Sequence, residues 1–346
     1  MAIYLYIWIL IIIKTLSFSK NKKNLFVFYI FLSFFIGLRQ EIGGDWFNYL
    51  NMYNKIIKLQ FKEALFVTDP LYGTLNWVSG VFKLGGIYFV NFICAFIFCS
   101  SIYFFSKNFK NIWFPVIILY PYTILAVSMG YTRQSVAIAF VVFAFNSLFN
   151  NKKIYFLLFI LLGMLFHKSA AILLMLLPFI YSRELNLKLF FLVYYIILTI
   201  ILLFFFYLIL LQNNIYLSGA IHSSGSTVRV LIHILPLTIY LIYRELFRKK
   251  QIIPIRILDV MAIMIILSLI LSVFFSTLAD RFSLYLIIFD IIILSVFLDS
   301  LKTNQRLFFI SMLIMINSIV LYSWLFYSPW AQCCWVPYNN LIMAIL

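Results

Sequence analysis

Apolar residues run almost unbroken through this chain, and the gaps between the runs are short and polar. Runs fall near 2–18, 25–40, 87–106, 112–129, 132–149, 154–167, 169–182, 188–211, 229–243, 257–278, 282–299 and 307–327. Most can cross the ~30 Å of hydrocarbon in a bilayer at 1.5 Å of rise per helical residue. A helix satisfies its own backbone polar groups in lipid. The pattern therefore predicts an all-α polytopic membrane protein with about twelve spans. The first run has neither a basic lead-in nor a small-residue cleavage site, so it is expected to be a span and not a removable signal.

The gaps set the expected orientation. Those at 19–24, 107–111, 150–153, 183–188, 244–256 and 302–306 are rich in Lys and Arg and fall on one side of the proposed topology. That side is then cytoplasmic, and both termini face outward. Three longer outward segments remain, at 41–86, 212–228 and 328–340, within a single transmembrane domain spanning 1–346. The first segment predicts a short amphipathic helix near 71–83, with Trp77, Val78, Val81 and Phe82 turned to lipid.

Composition agrees. Of 346 residues, 65% are hydrophobic and 10% charged, and mean hydropathy is +1.08; soluble domains keep about a quarter of their residues charged. The formal charge of +16 reads as the topological signal plus attraction to anionic membrane lipids. No basic soluble domain is there to bind nucleic acid. Cys94 and Cys99 read as apolar fillers within a span. Cys333 and Cys334 are expected as two thiols, since neighbouring cysteines rarely meet disulfide geometry. No residue spacing suits a metal, and no cofactor is expected.

Candidate chemistry lies where the runs meet the outer face, a place that seldom carries cations. Arg39, Arg133, Lys168, Arg229 and Arg281 all fall there. Any one of them can be a helix anchor; five together point to an anion, and guanidinium groups bind phosphate oxygens bidentately. A diphosphate leaving group gains charge as its bond to a sugar breaks, and fixed cations stabilise that change. Arg281 begins a predicted span with Tyr285 one turn below, and Arg229 has His233 one turn below.

A general base must come from few residues. The outward acids are Glu41, Asp45, Glu63, Asp69 and Asp280, and His167 precedes Lys168. Asp45 follows a glycine pair amid aromatics; it either serves the chemistry or pairs with Arg39, just as Asp280 either contacts substrate or neutralises Arg281. Asp290 lies mid-span, about 14 Å along its helix from Arg281. There it is expected to bond another helix, or else to mark a proton-coupled transporter. Trp46, Tyr49, Tyr53, Tyr72, Trp335 and Tyr338 are candidate sugar platforms, and Trp330 is an interfacial anchor.

These residues carry a resemblance. IGLRQEIGGDWFNYLNMY (36–53), GYTRQSVAIAF (130–140), LGMLFHKSAAILLMLLPF (162–179), LADRFSLYL (278–286) and WVPYNN (335–340) together resemble the Wzy-type and EpsG-type polysaccharide polymerases. The resemblance implies a GT-C-like membrane glycosyltransferase in the bacterial inner membrane. It would polymerise O-antigen or capsule repeat units at the outer leaflet without a metal. Undecaprenyl-diphosphate-linked glycans would be its substrates, and a chain-length co-polymerase its partner. Asp45, His167, Arg133 and Arg281 would be catalytic; Arg39, Tyr49, Lys168, Arg229, Asp280, Tyr285, Trp335 and Tyr338 would bind substrate. The rival readings are a flippase for the same lipid-linked oligosaccharide and a membrane O-acyltransferase using His167.

Overall fold

The computed structural model describes residues 1–181 and 226–342. The predicted run 188–211, the loop 183–188 and most of the segment 212–228 lie outside the described residues. What is described is helical, with no strand beyond a single backbone bridge between Arg39 and Asn340.

Five helices among the described residues are long and apolar enough to cross a membrane: Ile87–Ser106, Thr132–Phe149, Ile255–Phe274, Ser276–Ser300 and Thr303–Tyr327. The pair Arg229–Ile242 and Arg244–Lys250, bent by 75°, makes a sixth if it is one span. Shorter apolar helices stand at Ala2–Leu16, Phe114–Gly130, Lys153–Phe166 and Lys168–Ile180. Large apolar side chains such as Phe308, Val273 and Phe274 are exposed on these helices, as a lipid-facing surface requires. The chain is a multi-pass membrane protein.

Two compact units make up the fold. The first comprises Met1–Asn146, Leu161–Ala170 and Ser295–Leu346; the second comprises Ser147–Ile160 and Ala171–Leu294. Hydrocarbon tails are as apolar as leucine, so the units are held by close packing and interhelical hydrogen bonds. In the first, Gly37 lets Lys22–Gly37 press onto Ile87–Ser106: a Cβ there would sit 2.5 Å from the Phe92 Cα. Pro121 has no N–H to give, and the ladder around it loosens into a π-helical stretch over Tyr120–Val127. The carbonyl of Leu125 in that stretch accepts from the Trp335 indole at 3.1 Å. Tyr120 donates to the Tyr4 carbonyl at 2.7 Å, and Tyr4 donates to that of Trp335 at 2.8 Å.

The segment 41–86 folds into three helices, Trp46–Ile56, Phe61–Val67 and Pro70–Val81. The last is the amphipathic helix expected near 71–83. Val81 and Phe82 are exposed, as expected. Trp77 is not a simple lipid anchor: its indole donates to the Leu59 carbonyl at 3.1 Å and packs edge-on against Phe61. After Pro329–Cys334 the chain folds back onto the end of Lys22–Gly37, where Gln40 N–H donates to Asn339 and Leu341 N–H to Leu38. Cys333 and Cys334 are joined in a vicinal disulfide at the end of that helix, contrary to the expectation of two thiols.

The second unit corrects the register around Arg281. Its helix begins five residues earlier, at Ser276, because Phe275 takes up φ −134 and ψ 70 and breaks the helix before it. The turn Leu284–Leu286 then tightens to 3-10 geometry. Tyr285 is buried while Arg281 is exposed.

Candidate functional site

Where the helix Lys22–Gly37 ends, Arg39 turns inward instead of out. Its guanidinium donates to the carbonyls of Ile36 (2.7 Å) and Ile42 (3.2 Å) and to the Thr132 hydroxyl (2.9 Å). It also lies 5.7 Å from the centre of the Trp46 ring. Only 1% of Arg39 is exposed. The charge is spent tying one helix end, the following loop and the start of Thr132–Phe149 together. It does not pair with Asp45, whose carboxylate accepts from Asn48 at 3.2 Å.

The loop between them is pinned by Gly43. At φ +104 it adopts a conformation L side chains rarely take, and a Cβ there would sit 2.3 Å from the Met129 carbonyl oxygen. Its N–H donates to the Cys334 carbonyl at 2.8 Å. This close approach brings Asp45, Trp46 and Tyr49 beside the turn that carries Arg133.

At that turn Tyr131 leaves helical geometry and Thr132 restarts it. The next residue, Arg133, reaches the segment that precedes Pro70–Val81. There Thr68 is extended and Asp69 stands at the helix N-cap, ahead of a proline. Asp69 does not cap the helix with its side chain. Instead Arg133 Nη1 donates to Asp69 Oδ2 at 2.8 Å and to the Thr68 hydroxyl at 2.7 Å.

His167 approaches the same carboxylate, its Nδ1 3.8 Å from Asp69 Oδ2. It sits at the break between Lys153–Phe166 and the 3-10 run Lys168–Leu176. Side-chain exposure is 3% for Asp69, 30% for Arg133 and 16% for His167. One buried carboxylate is thus roofed by a cation and an imidazole.

Tyrosines complete the first unit's cluster. The Arg133 guanidinium lies 6.0 Å from the centre of the Tyr49 ring, and Tyr49 meets Tyr72 edge-on at 5.7 Å. Burial raises the pKa of Tyr49 above its ordinary value, opposed by Arg133, and raises that of Tyr72 further. Both stay protonated. The Tyr72 hydroxyl and Asn91 amide are buried with no hydrogen-bond partner among the described residues. Lys168 is exposed beside His167.

Trp335 packs against Gly130, at the turn before Arg133. Trp335 is buried with its N–H on Leu125. Tyr338 stacks on Phe35 and donates to the Phe35 carbonyl at 2.7 Å; burial pushes its pKa up to about 12.

The second unit holds its own charges. Arg229 grips Asp280 with two bonds, Nε to Oδ1 at 2.6 Å and Nη2 to Oδ2 at 2.9 Å. Both oxygens of Asp280 are thus engaged by Arg229. One turn past Arg229, His233 Nδ1 meets Asp290 Oδ2 at 2.6 Å, both groups buried. That is the interhelical bond expected of Asp290.

Of the predicted residues, the first unit brings Arg133, His167 and Tyr49 together, and the second joins Arg229 to Asp280. Asp69 and Thr68 are the members that sequence reading left out of the site. A Thr-Asp-Pro sequence signals a helix start, which hides an acid with another purpose. Among the described residues no group of side chains is arranged to hold a metal ion.

The model of the family described as EpsG family matches residues 22–340. Neither the comparison with curated proteins nor that with solved structures gave a match.

Proposed function

The chain belongs to the EpsG family, and from that membership we propose that it is a membrane glycosyltransferase, a polymerase of lipid-linked repeat units. In this reading it has about twelve spans and a GT-C-like architecture in the bacterial inner membrane. It transfers a growing O-antigen or capsule glycan from undecaprenyl diphosphate to a hydroxyl of a new lipid-linked repeat unit. A chain-length co-polymerase is its expected partner.

The observation that carries the proposal is the triple contact of Arg133, Asp69 and His167 at the head of one helix. With no substrate, Asp69 neutralises Arg133. A diphosphate oxygen competes for the same guanidinium, because charge-assisted bonds to phosphate are at least as strong as those to carboxylate. As the sugar–oxygen bond breaks, charge accumulates on that diphosphate and its hold on Arg133 tightens. Asp69, released from the guanidinium, orients His167 and stabilises it as it takes the proton of the attacking hydroxyl. Lys168 adds an exposed cation. Asp45, at the rim of the loop, orients the acceptor, and Tyr49 offers it a ring edge. Arg39, Trp335 and Tyr338 support the site without touching substrate. Arg229 and Arg281 belong to the second unit, where Arg229 is held by Asp280.

Replacing Arg133 by alanine in cells whose surface polysaccharide is resolved by length tests this. The long-chain ladder is expected to collapse to single repeat units at equal protein level; a normal ladder would overturn the role. The buried His233–Asp290 pair favours one rival, a proton-coupled flippase. The same experiment separates the two, since loss of a flippase leaves no single units at the surface.

A further inference from the structure

The first unit carries a cavity of about 420 Å³ that no part of the proposed chemistry uses. It lies between Lys22–Gly37, Ile87–Ser106 and Thr132–Phe149, walled by Phe26, Ile30, Phe96, Ser100, Phe104 and Phe143 among others. Its size is within the roughly 300–1,000 Å³ of small-ligand sites. Its wall is hydrocarbon, because the polar groups there bond inward. Ser33 donates to the Tyr29 carbonyl at 2.8 Å, and the Tyr29 hydroxyl shares a hydrogen with Ser106 at 3.4 Å. Water and sugar find no partners here. An aliphatic chain does, and it can enter past Phe26, Phe96 and Phe104, which are exposed.

One end of this cavity is cationic. Lys107 Nζ sits 4.5 Å from the centre of the Phe104 ring and 4.7 Å from that of Tyr103, so the lysine caps two rings at the cavity. Lys22 begins the helix whose Phe26, one turn on, lines the cavity. Neither lysine pairs with a carboxylate among the described residues. The positive end of the helix Lys22–Gly37 adds to the field. Two cations at the end of a hydrocarbon slot are complementary to an anion that carries a tail.

We infer that this cavity binds an anionic phospholipid, with one acyl chain between the three helices and its phosphate on Lys22 and Lys107. The site is separate from the Arg133 cluster. Arg39 follows the far end of the helix that Lys22 begins, about 24 Å along 16 residues. A lipid seated here therefore belongs to the opposite leaflet. It would splint three helices in a unit whose packing is otherwise aromatic and loose at this point.

The test uses the full-length protein in detergent, incubated with mixed micelles of equal parts phosphatidylglycerol and phosphatidylcholine and read by native mass spectrometry. Wild type is expected to retain one phosphatidylglycerol per chain. The pair Lys22→Gln and Lys107→Gln is expected to weaken that retention roughly 25-fold, about fivefold for each lysine near an anionic headgroup. Ser100→Trp, which fills the cavity, is expected to abolish retention of both lipids. Equal retention of phosphatidylcholine by wild type would overturn the inference, as would a polyprenyl species bound in place of the added lipid. So would lysine variants that hold phosphatidylglycerol as wild type does. The lysines are at the surface, so their variants decide the matter even if Ser100→Trp fails to fold.

Discussion

Arg133 and Asp69, separated by 64 positions in sequence, meet at 2.8 Å, and the carboxylate is almost wholly buried beneath the guanidinium. The outer-face arginine that the sequence offers as a phosphate ligand thus comes with its own anion. Under the proposed function, binding of a diphosphate is an exchange of partners, not the filling of an empty site.

Asp69→Asn is expected to separate binding from chemistry. The amide still accepts a bond from Arg133 but cannot polarise His167. Polymer length should fall to that of single units while lipid-linked substrate still binds. A variant with the wild-type length distribution would remove Asp69 from the mechanism. The fold should lose only about 1–3 kcal/mol, since Arg133 keeps solvent and Thr68 as alternatives.

Arg39 makes a different prediction, because its bonds go to the protein itself. Arg39→Ala leaves two buried carbonyls without their donor and should destabilise the fold by roughly 3–5 kcal/mol. Arg39→Lys should rescue only part, because an ammonium cannot span three acceptors set around a planar fork. Melting followed by size-exclusion fluorescence would show it; an alanine variant as stable as wild type would return Arg39 to the substrate-binding set.

Adjacent glycines should behave oppositely. At Gly43 a methyl would meet the Met129 carbonyl oxygen at 2.3 Å, in a backbone conformation at φ +104; at Gly44 the nearest atom is 3.7 Å away, on the Trp330 ring. Gly43→Ala is expected to cost on the order of 3 kcal/mol or more and to reduce folded protein, whereas Gly44→Ala should stay within about 1 kcal/mol. Equal expression and melting of both would show that the loop's approach to Met129 does not matter.

The His233–Asp290 pair invites a double-mutant cycle. Removing His233 alone strands a buried carboxylate, at roughly 3–5 kcal/mol, while replacing both residues by leucine should cost far less. A double variant as unstable as the sum of the singles would mean the two groups do not depend on each other. If surface polysaccharide is normal in a stable double variant, a proton-coupled role for the pair is excluded.

The sequence was most legible where one property repeats. Ile87–Ser106 and Thr132–Phe149 coincide with their predicted runs to the residue, since a bilayer imposes its thickness on every apolar stretch. The flagged Arg133, His167 and Tyr49 also lie together, because each sits at or near a helix end that meets the segment before Pro70–Val81. Pairing was not legible. In sequence, Asp280 could neutralise Arg281 or contact substrate, and Asp45 could pair with Arg39 or serve the chemistry. Helix geometry instead turned Asp280 to Arg229, and the tight loop at Gly43 left Arg39 among backbone carbonyls.

By itself, then, the sequence determined a multi-pass helical membrane protein with cations gathered at helix ends, because hydropathy and charge act along the chain. Which cation meets which anion was decided only by the tertiary structure. A salt bridge needs atoms within a few ångströms, and that distance is set by helix phase, by a glycine that admits a neighbouring carbonyl, and by a proline-led helix start that frees Asp69.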